Sequence, residues 1–376
     1  MLKGIHLTLL VGPMVPVPVS KEVIDALISI EVKSTAGTTQ SGFQMKFKLK
    51  KNSPLTTLFV VSSGNMLPVI RTIIIVTMNG RPEVLMDGVV LHSQVSSGNI
   101  PGQQILTVSG KDISVLMDII SLDGIPYPAM PPAARVLLML AKYAAFGIIP
   151  MVIPSVLEDI PIPIMRIMRH KGTDLDYIRI LADEAGYVFF IDPGPTPGTS
   201  IAYWGPQIKV GTPQPALNTN MDAHTNVESL NFAFDKEQKE MPVVFIQNQE
   251  SKAPIPIPIP DITLLNPPLG AIPPIPPKIV FMKNTAKLTP LNAALHGLVY
   301  ASKHADCVFG SGSLDVLRYG RILKAKKLVG VRGAGIPYNG LYYVNSVTHQ
   351  IKQGEYKQNF ELSRNGLVST LSKVPV

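Results

Sequence analysis

The sequence predicts a mainly β protein with an α-helical insert, that is, an α+β fold. Three observations predict it: strand-like alternation over residues 1–120, a well-delimited helix in the middle, and a hairpin pattern that recurs near the C-terminus. With 376 residues the chain is too long for one ordinary core. We therefore expect two similar antiparallel β-barrels, in residues 1–120 and 223–376, that flank a small helix-containing α+β domain in residues 121–222.

The N-terminal region has the pattern of successive short strands. Apolar and polar residues alternate strictly over Gly42–Lys50, as in a strand with one buried face. Val69–Met78 is rich in β-branched residues and leads into Asn79 and Gly80, the strongest short hairpin signal. About six such strands with turns between them favour a small antiparallel barrel. The other expected strands are Val23–Lys33, Leu85–Ser96 and Gln104–Ser109, after an N-terminal strand with a Pro-rich exit.

The middle region contains the clearest helix, within Gly172–Gly186. Thr173 or Asp174 is expected to cap its start, and Gly186 to follow its end. Its apolar stripe consists of Leu175, Ile178, Leu181 and Ala182. The other expected elements are a helical segment at Ala133–Ala145 and strands at Tyr187–Ile191 and Thr199–Trp204.

The C-terminal half resumes the strand pattern, and a Pro-rich insertion interrupts it. Strands are expected at Val227–Asp235 and Met241–Gln247, and a short helix at Leu291–Lys303. Ala253–Lys278 contains ten prolines, with isoleucine and leucine in the gaps. This density favours an extended conformation and excludes a helix or a central strand. Because exposed isoleucines would be adhesive, we expect an arm, residues 253–278, that lies on its own or a neighbouring subunit rather than a free spacer.

A hairpin pattern occurs twice in the chain. Gly88–Gly110 and Gly340–Gly366 each begin a strand at a glycine, place a valine seven residues later and return through a hairpin. Both copies end strand-rich regions on either side of the helical insert, which indicates a duplication. Three duplicated chains around an axis would present six similar barrels, a number that fits a hexameric ring.

Alternation assigns faces to the hairpin Gly340–Gly366, which is expected to close the second barrel. His349 is interpreted as an outward or interface residue. The residues expected to share one face of the first strand are Leu341, Tyr343, Asn345, Val347, His349 and Ile351, and those of the return strand are Tyr356, Phe360 and Leu362.

The composition restricts the class of protein. Hydrophobic residues make up 46% and charged residues only 16%, so little charged material is available to coat a free surface. Either the chain lies in a membrane or partner subunits cover much of its surface. The net charge of +8 is scattered without a long Lys/Arg run, so no nucleic-acid specificity is expected. A single cysteine, Cys307, excludes an internal disulfide.

Ala133–Leu157 is the best candidate for a membrane span. Lys142 lies in its middle, and Gly147 and Pro150 interrupt it, whereas spanning helices prefer about 20 uninterrupted apolar residues. We therefore expect a helix buried against protein and no stable membrane span. The N-terminus is a poor signal peptide because prolines break its apolar stretch and no cleavage site follows.

No arrangement of residues predicts catalysis, a cofactor or a bound metal. His304, Asp306 and Cys307 lie close in sequence, but no nucleophile motif surrounds them. Gly330–Gly335 imitates a phosphate loop without its Lys-Ser/Thr, so a turn between strands is expected. The seven histidines have no metal-ligand spacing. The carboxylates considered as a glycosidase pair are Glu158, Asp159, Asp183 and Glu184, and the sequence gives no separation between them.

A set of segments occurs in a characteristic order along nearly the whole chain. Lys171–Asp192 (KGTDLDYIRILADEAGYVFFID) is followed by Ala202–Pro206 (AYWGP). The other segments of the set are Gly42–Leu55, Met86–Val95, Leu106–Met117, Gly312–Gly320 (GSLDVLRYG) and the hairpin Gly340–Gly366. In this ordered set the chain resembles the phage late control protein D family, the baseplate hubs of phage tails, tailocins and related contractile injection systems. The chain departs from the family pattern at Ile148–Ile164 and in the arm.

The resemblance implies a non-enzymatic structural protein with two tube-like barrel domains. It implies a homotrimer that adapts a hexameric inner tube protein to a trimeric spike protein. A LysM-type adaptor and wedge proteins are further partners that it suggests. The implied location is the baseplate of a tail-like particle that is assembled in the cytoplasm. Since the sequence stops at Val376, the spike is expected to be a separate protein.

Two other classes stay open on the sequence alone. Ala133–Leu157 and a positive mean hydropathy suit a membrane-associated β-rich accessory protein of the cell envelope. His304 and Cys307 suit a Cys/His hydrolase. Within the hub interpretation, the sequence does not separate a phage from a tailocin or a cellular injection system.

Overall fold

The protein is described here by a computed structural model. It describes residues 4–13, 15–37, 39–49, 53, 55, 58–59, 69–98, 103–155, 167–247, 253–260, 267–283, 285, 290–372 and 374. The α-helices are α1 (Lys21–Asp25), α2 (Pro132–Ala141), α3 (Asp174–Ala185), α4 (Pro290–Lys303) and α5 (Val316–Tyr319). The strands are β1 (Ile5–Gly12), β2 (Val17–Pro18), β3 (Leu27–Thr35), β4 (Gly42–Leu49), β5 (Arg71–Met78), β6 (Arg81–Ser97), β7 (Gln104–Asp112), β8 (Pro126–Tyr127), β9 (Ile148–Val152), β10 (Met168–Arg169), β11 (Val188–Pro193), β12 (Ser200–Gly205), β13 (Gln214–Asn218), β14 (Ser229–Phe234), β15 (Glu240–Gln247), β16 (Pro254–Pro258), β17 (Gly270–Ile272), β18 (Lys278–Phe281), β19 (Val308–Asp315), β20 (Leu328–Arg332), β21 (Gly340–Lys352), β22 (Glu355–Arg364) and β23 (Leu367–Ser369).

One 13-stranded sheet dominates the molecule. Its order is β14-β19-β22-β21-β3-β4-β7-β6-β5-β1-β2, and β20 and β13 extend from β21. Phe43, Met45 and Phe47 alternate into its main core, as the sequence predicts for β4. That core also includes Val347 and Phe360 from the C-terminal half. The mainly β fold with a helical insert is confirmed.

The sheet contains the same strand order twice. The order β3-β4-β7-β6-β5 of the first half recurs as β14-β19-β22-β21-β20, with antiparallel neighbours throughout. Both β6 and β21 carry a bulge, after Val90 and after Val344 respectively. The structure thus contains the predicted internal repeat. The bulges align Val90 with Val344. The expected alignment of Gly88 with Gly340 would instead align Val90 with the residue two positions before Val344.

The two halves are joined edge to edge through β3 and β21. Ser29–Thr35 pairs antiparallel with Ser346–Lys352. Because β21 occupies the edge of β3, the repeated strands of both halves belong to one open, continuous sheet. The expectation of two closed barrels is corrected accordingly.

The bulge in β21 also corrects the expected faces of the closing hairpin. Tyr342 and Val344 face the main core before the bulge, and Val347 faces it afterwards. An extra residue in one strand shifts the two-residue alternation, so Leu341 and Tyr343 pack in a separate cluster on the other side. On the return strand β22, the shared face of Tyr356, Phe360 and Leu362 is buried as predicted.

A short helix replaces the start of one expected strand. Lys21–Asp25 forms α1, so the strand expected at Val23–Lys33 begins only at Leu27. Val23 packs into the main core from this helical turn. The Val23 side chain is therefore buried in a helix, as it would also be in a strand.

The middle region is a small α+β unit. α2 and α3 pack with the sheet β11-β12-β9 around the fully buried Trp204. Thr173 caps α3 in a reciprocal capping box with Asp176, and Gly186 follows the helix at a φ of 68°. The helix expected within Gly172–Gly186 is confirmed. Among the described residues, no helix is long and apolar enough to cross a membrane.

The first part of the Pro-rich arm lies on its own chain as an edge strand. β16 pairs antiparallel with β15, whose other edge pairs parallel with β18. The Ile259 N–H donates to the Pro242 carbonyl at 3.0 Å, so the isoleucines at alternate positions direct their N–H groups at β15. Pro254, Pro256 and Pro258 direct only carbonyls outward. This outer edge therefore lacks the donors that a further strand would need. Residues 261–266 of the arm lie outside the described residues.

Candidate assembly interface

The three residues considered for a hydrolase, His304, Asp306 and Cys307, are buried or hydrogen-bonded within the fold. Cys307 is fully buried just before β19. Asp306 accepts hydrogen bonds from the Lys209 ammonium at 2.8 Å and from the Ser363 hydroxyl at 2.5 Å. His304 Nδ1 lies 2.9 Å from the Tyr300 carbonyl at the end of α4. His304 and Asp306 each bond other groups. These contacts therefore do not place either of them as a base for the Cys307 thiol.

The other sequence candidates are dispersed. Gly330–Gly335 spans the end of β20 and the turn after it, as expected. Asp183 accepts a hydrogen bond from Lys303 at 2.8 Å, which ties α3 to α4. Glu158 and Asp159 lie outside the described residues. In the part of the chain that the structure describes, no group of three or more His, Cys, Asp or Glu side chains could hold a metal ion.

His349 is an inward-facing residue, which corrects its expected outward position. Its Nδ1 lies 2.8 Å from the Tyr356 hydroxyl and 3.3 Å from Gln358 Nε2. Gln358 in turn bonds both the N–H and the carbonyl of Leu323. Burial lowers the pKa of His349 to about 3, and the nearby Lys324 acts in the same direction. Alternation cannot reveal this position, because the polar partners that make its burial tolerable come from a different strand.

His349 should make the chain less stable in acid. Its pKa of about 3 in the folded chain lies below the ordinary value of 6.5, so the unfolded chain binds an extra proton between these values. Stability should therefore fall as the pH decreases from 6.5 towards 3, by about 1.4 kcal/mol per pH unit from this group. Urea unfolding at successive pH values measures the slope.

The control compares two histidine replacements. His349→Gln should flatten the acid slope, because the titrating group is gone. His92→Gln, at an exposed position of β6, should leave the slope as it is in the unaltered chain. Equal slopes for all three proteins would contradict the role of His349.

Among the strands of the two repeated halves, two edges have no partner strand within the described ranges. One is the outer edge of β14, which pairs only with β19. The Asp235 N–H donates to the Cys307 carbonyl, which sets the alternation of β14. Leu230, Phe232 and Phe234 therefore direct their backbone groups at the free edge.

The other open edge is the end of β6 beyond β5. The Val90 N–H donates to the Ile70 carbonyl, and the bulge that follows shifts the alternation. Ser93, Val95 and Ser97 thus direct their backbone groups away from β7, where no described strand lies. Val95 is 45% exposed, whereas its counterpart in the second half, His349, is 5% exposed.

Comparisons with known proteins agree with this architecture. No protein-family model and no curated protein matches the sequence. The tail protein of Neisseria meningitidis MC58 aligns over 97% of this chain and 98% of its own, with a TM-score of 0.60 and 14% identity. The 43 kDa tail protein of prophage MuSo2 from Shewanella oneidensis aligns over 96% and 98%, with a TM-score of 0.63 and 13% identity. The chain has the fold of phage tail proteins.

The tail-protein fold extends to secretion machinery. An E. coli component of the type VI secretion system aligns over 93% of this chain and 76% of its own, with a TM-score of 0.55 and 10% identity. That protein is described as structurally similar to the T4 tail proteins gp27 and gp5. The predicted likeness to the tail hub family is thereby confirmed at the level of the fold. Because these alignments cover nearly the whole chain, both repeated halves and the middle region are parts of the tail-protein fold.

Proposed function

We propose that the chain is a non-enzymatic baseplate hub subunit, three copies of which form a ring between a hexameric inner tube and a trimeric spike. The likeness to tail proteins supports a place in a tail or baseplate. The ring rests on one observation. The seam between β3 and β21 inside the chain has counterparts, β14 and β6, whose edges are open.

Equivalent positions in the two halves follow from the pairing. One row of directly opposed residues crosses four strands of the first half: Val32, Phe43, Gly110 and Val90. The matching row of the second half is Phe232, Gly310, Leu362 and Val344. Each row ends at the residue before the bulge. Val32 therefore corresponds to Phe232.

The internal seam then supplies the register between copies. Val32 pairs with His349, five residues beyond Val344. By the same geometry, Phe232 of one copy pairs with Val95 of the next copy. The adjacent pair is Ala233 opposite Gln94. Since the edge hydrogen bonds belong to Phe232 and Val95, Ala233 and Gln94 form a non-hydrogen-bonded pair, with Cα atoms about 4.5 Å apart.

Closure of the ring explains several features together. Three copies place six repeated halves around the axis, in which internal seams alternate with seams between copies. Every copy offers one β14 edge and one β6 edge, so the ring leaves neither open. The same arrangement covers Val95 and Phe234, which are exposed on a single chain. A sixfold repeated surface would match a hexameric tube. Binding of that tube is part of the function that we propose.

Cysteines at Gln94 and Ala233 should link the copies covalently. Both positions are exposed, and the expected Cα separation lies within the range of about 4.4–6.8 Å for disulfides. Oxidation of the Gln94→Cys/Ala233→Cys chain should give a trimer on non-reducing gels. An equimolar mixture of the two single variants should stop at dimers. Cys307 is buried and stays out of this reaction.

The matched control shifts the register by four residues. Gln94→Cys/Ser229→Cys also places two exposed cysteines on the same strands, about 13 Å out of register. It should remain unlinked under the same oxidation. Equal linking in both double variants, or a strictly monomeric chain by light scattering, would overturn the proposed ring.

A further inference from the structure

A cationic groove crosses the junction between the two repeated halves. One wall is the β5–β6 hairpin, with Arg81 and Glu83, and the other carries Arg321, Lys324 and Lys327. The groove has a volume of about 670 Å³, which lies within the range of about 300–1,000 Å³ that is usual for ligand sites. Four basic side chains face one carboxylate, so the lining has a net charge of +3.

The backbone of both walls is fixed before any ligand arrives. Asn79 and Gly80 have φ values of 50° and 76°, as in the tight turn that an Asn-Gly pair favours. On the opposite wall, the Gln214 side chain bonds both the N–H of Lys324, at 2.8 Å, and its carbonyl, at 2.9 Å. A preformed wall loses little conformational entropy when it binds.

Most of the basic groups in the groove have no carboxylate partner in the described structure. Lys324 pairs with Glu83 across the groove at 2.9 Å. Arg81, Arg321 and Lys327 are exposed, and none of them forms an ion pair with a carboxylate of the described residues. The groove therefore offers three exposed positive charges on its two walls, which attract an anion.

The lining distinguishes between classes of anion. It contains no aromatic side chain among the described residues, so it has no platform on which nucleic-acid bases could stack. Met78, Ile322 and the two prolines at 213 and 215 add small apolar surfaces to the same lining. A lining that combines charged and apolar contacts suits a peptide better than a phosphate backbone.

We propose that this groove binds an extended acidic peptide segment of a partner protein. All of its lining residues belong to one chain, so binding does not require the ring of three copies. The ligand would contact both halves, across the groove that the Lys324–Glu83 ion pair already spans. Neither the composition nor the likeness to tail proteins assigns this site.

Fluorescence anisotropy with a labelled hexaglutamate peptide tests the proposal on the full chain. Binding should be measurable at about 50 mM NaCl and weaken as salt is raised, because the contacts are charged and exposed. Arg321→Glu and Lys327→Glu should each weaken binding by about tenfold, since each variant replaces an attraction by a repulsion. Circular dichroism should show the folded chain in both variants.

The matched control is Lys46→Glu, an exposed charge reversal on β4 outside the groove. It should change the affinity less than twofold, within measurement scatter. An equal loss in Lys46→Glu would show a diffuse charge effect and overturn the site. Tighter binding of a hexathymidylate oligonucleotide would make the groove a nucleic-acid site instead. Absence of hexaglutamate binding at low salt would also overturn the proposal.

Discussion

Arg71→Met should destabilise the folded chain by about 3–5 kcal/mol, a large part of the stability of an ordinary domain. Arg71 Nε and a terminal guanidinium nitrogen bond both carboxylate oxygens of Asp87, at 2.7 and 2.6 Å. The exposed fractions of the two side chains are 7% and 1%. Without its partner, Asp87 would be left as a buried carboxylate with no compensating charge. Breaking a buried ion pair on one side only is strongly destabilising for this reason.

The Arg71–Asp87 pair also joins the first half of the sheet to the middle region. Arg71 donates to the Gly198 carbonyl at 2.9 Å, and the Ser200 hydroxyl bonds Asp87 at 3.2 Å. Urea unfolding followed by the fluorescence of Trp204, the single tryptophan, measures the loss in this region. Arg71→Met should therefore shift the unfolding midpoint reported by the middle region.

The double variant Arg71→Met/Asp87→Leu separates charge from packing. Removal of both charges should recover most of the lost stability, because a well-packed apolar pair is about as stable as a buried ion pair. If the double variant is as unstable as Arg71→Met, lost packing rather than a stranded charge explains the effect. If Arg71→Met unfolds at the original midpoint, the pair contributes little.

Sequence patterns predicted the elements that depend on contacts between residues close together in the chain. Thr173 and Gly186 mark the ends of α3 because capping depends on backbone groups within one turn. Asn79 and Gly80 mark the β5–β6 turn because both residues need positive φ values. Phe43, a member of a strictly alternating strand, is buried as expected.

The pairing between strands that are far apart in the sequence was not predicted. The seam of β3 with β21 brings together residues about 300 positions apart, and no local pattern encodes such a partner. The bulge after Val344 is a further case, because an extra residue changes the face of every residue before it relative to those after it. The expectation of closed barrels failed for the first reason, and the expected faces of β21 for the second.

The sequence predicted that the chain assembles, but not which strand edges form the candidate interface. The repeated hairpin and the low charge of 16% pointed to an assembly of repeated units. The two edges that would form it became visible once the strand order showed β14 and the end of β6 without described partners. The groove was missed entirely, because Arg81 and Arg321 are 240 positions apart. The division into domains 1–120, 121–222 and 223–376 stays a prediction.

Val95→Pro should abolish the proposed trimer and leave the single chain folded. The backbone N–H of Val95 points at the free edge of β6, so proline removes a donor that only a neighbouring copy would use. A proline ring at this position also obstructs the approach of β14 from the next copy. Light scattering after size-exclusion chromatography should change from a trimer to a monomer. The thermal midpoint of the monomer should stay close to that of the dissociated original chain.

Two neighbouring substitutions make this test specific. Val95→Thr keeps the N–H and a β-branched side chain, so the trimer should persist. Gln94→Pro removes an N–H that points at β7 instead, so it should destabilise the chain itself by breaking a bond within the sheet. A trimer that survives Val95→Pro would mean that another surface holds the copies together. Loss of the trimer in Gln94→Pro without loss of chain stability would mean that the edge directions of β6 are the reverse of those in the structure.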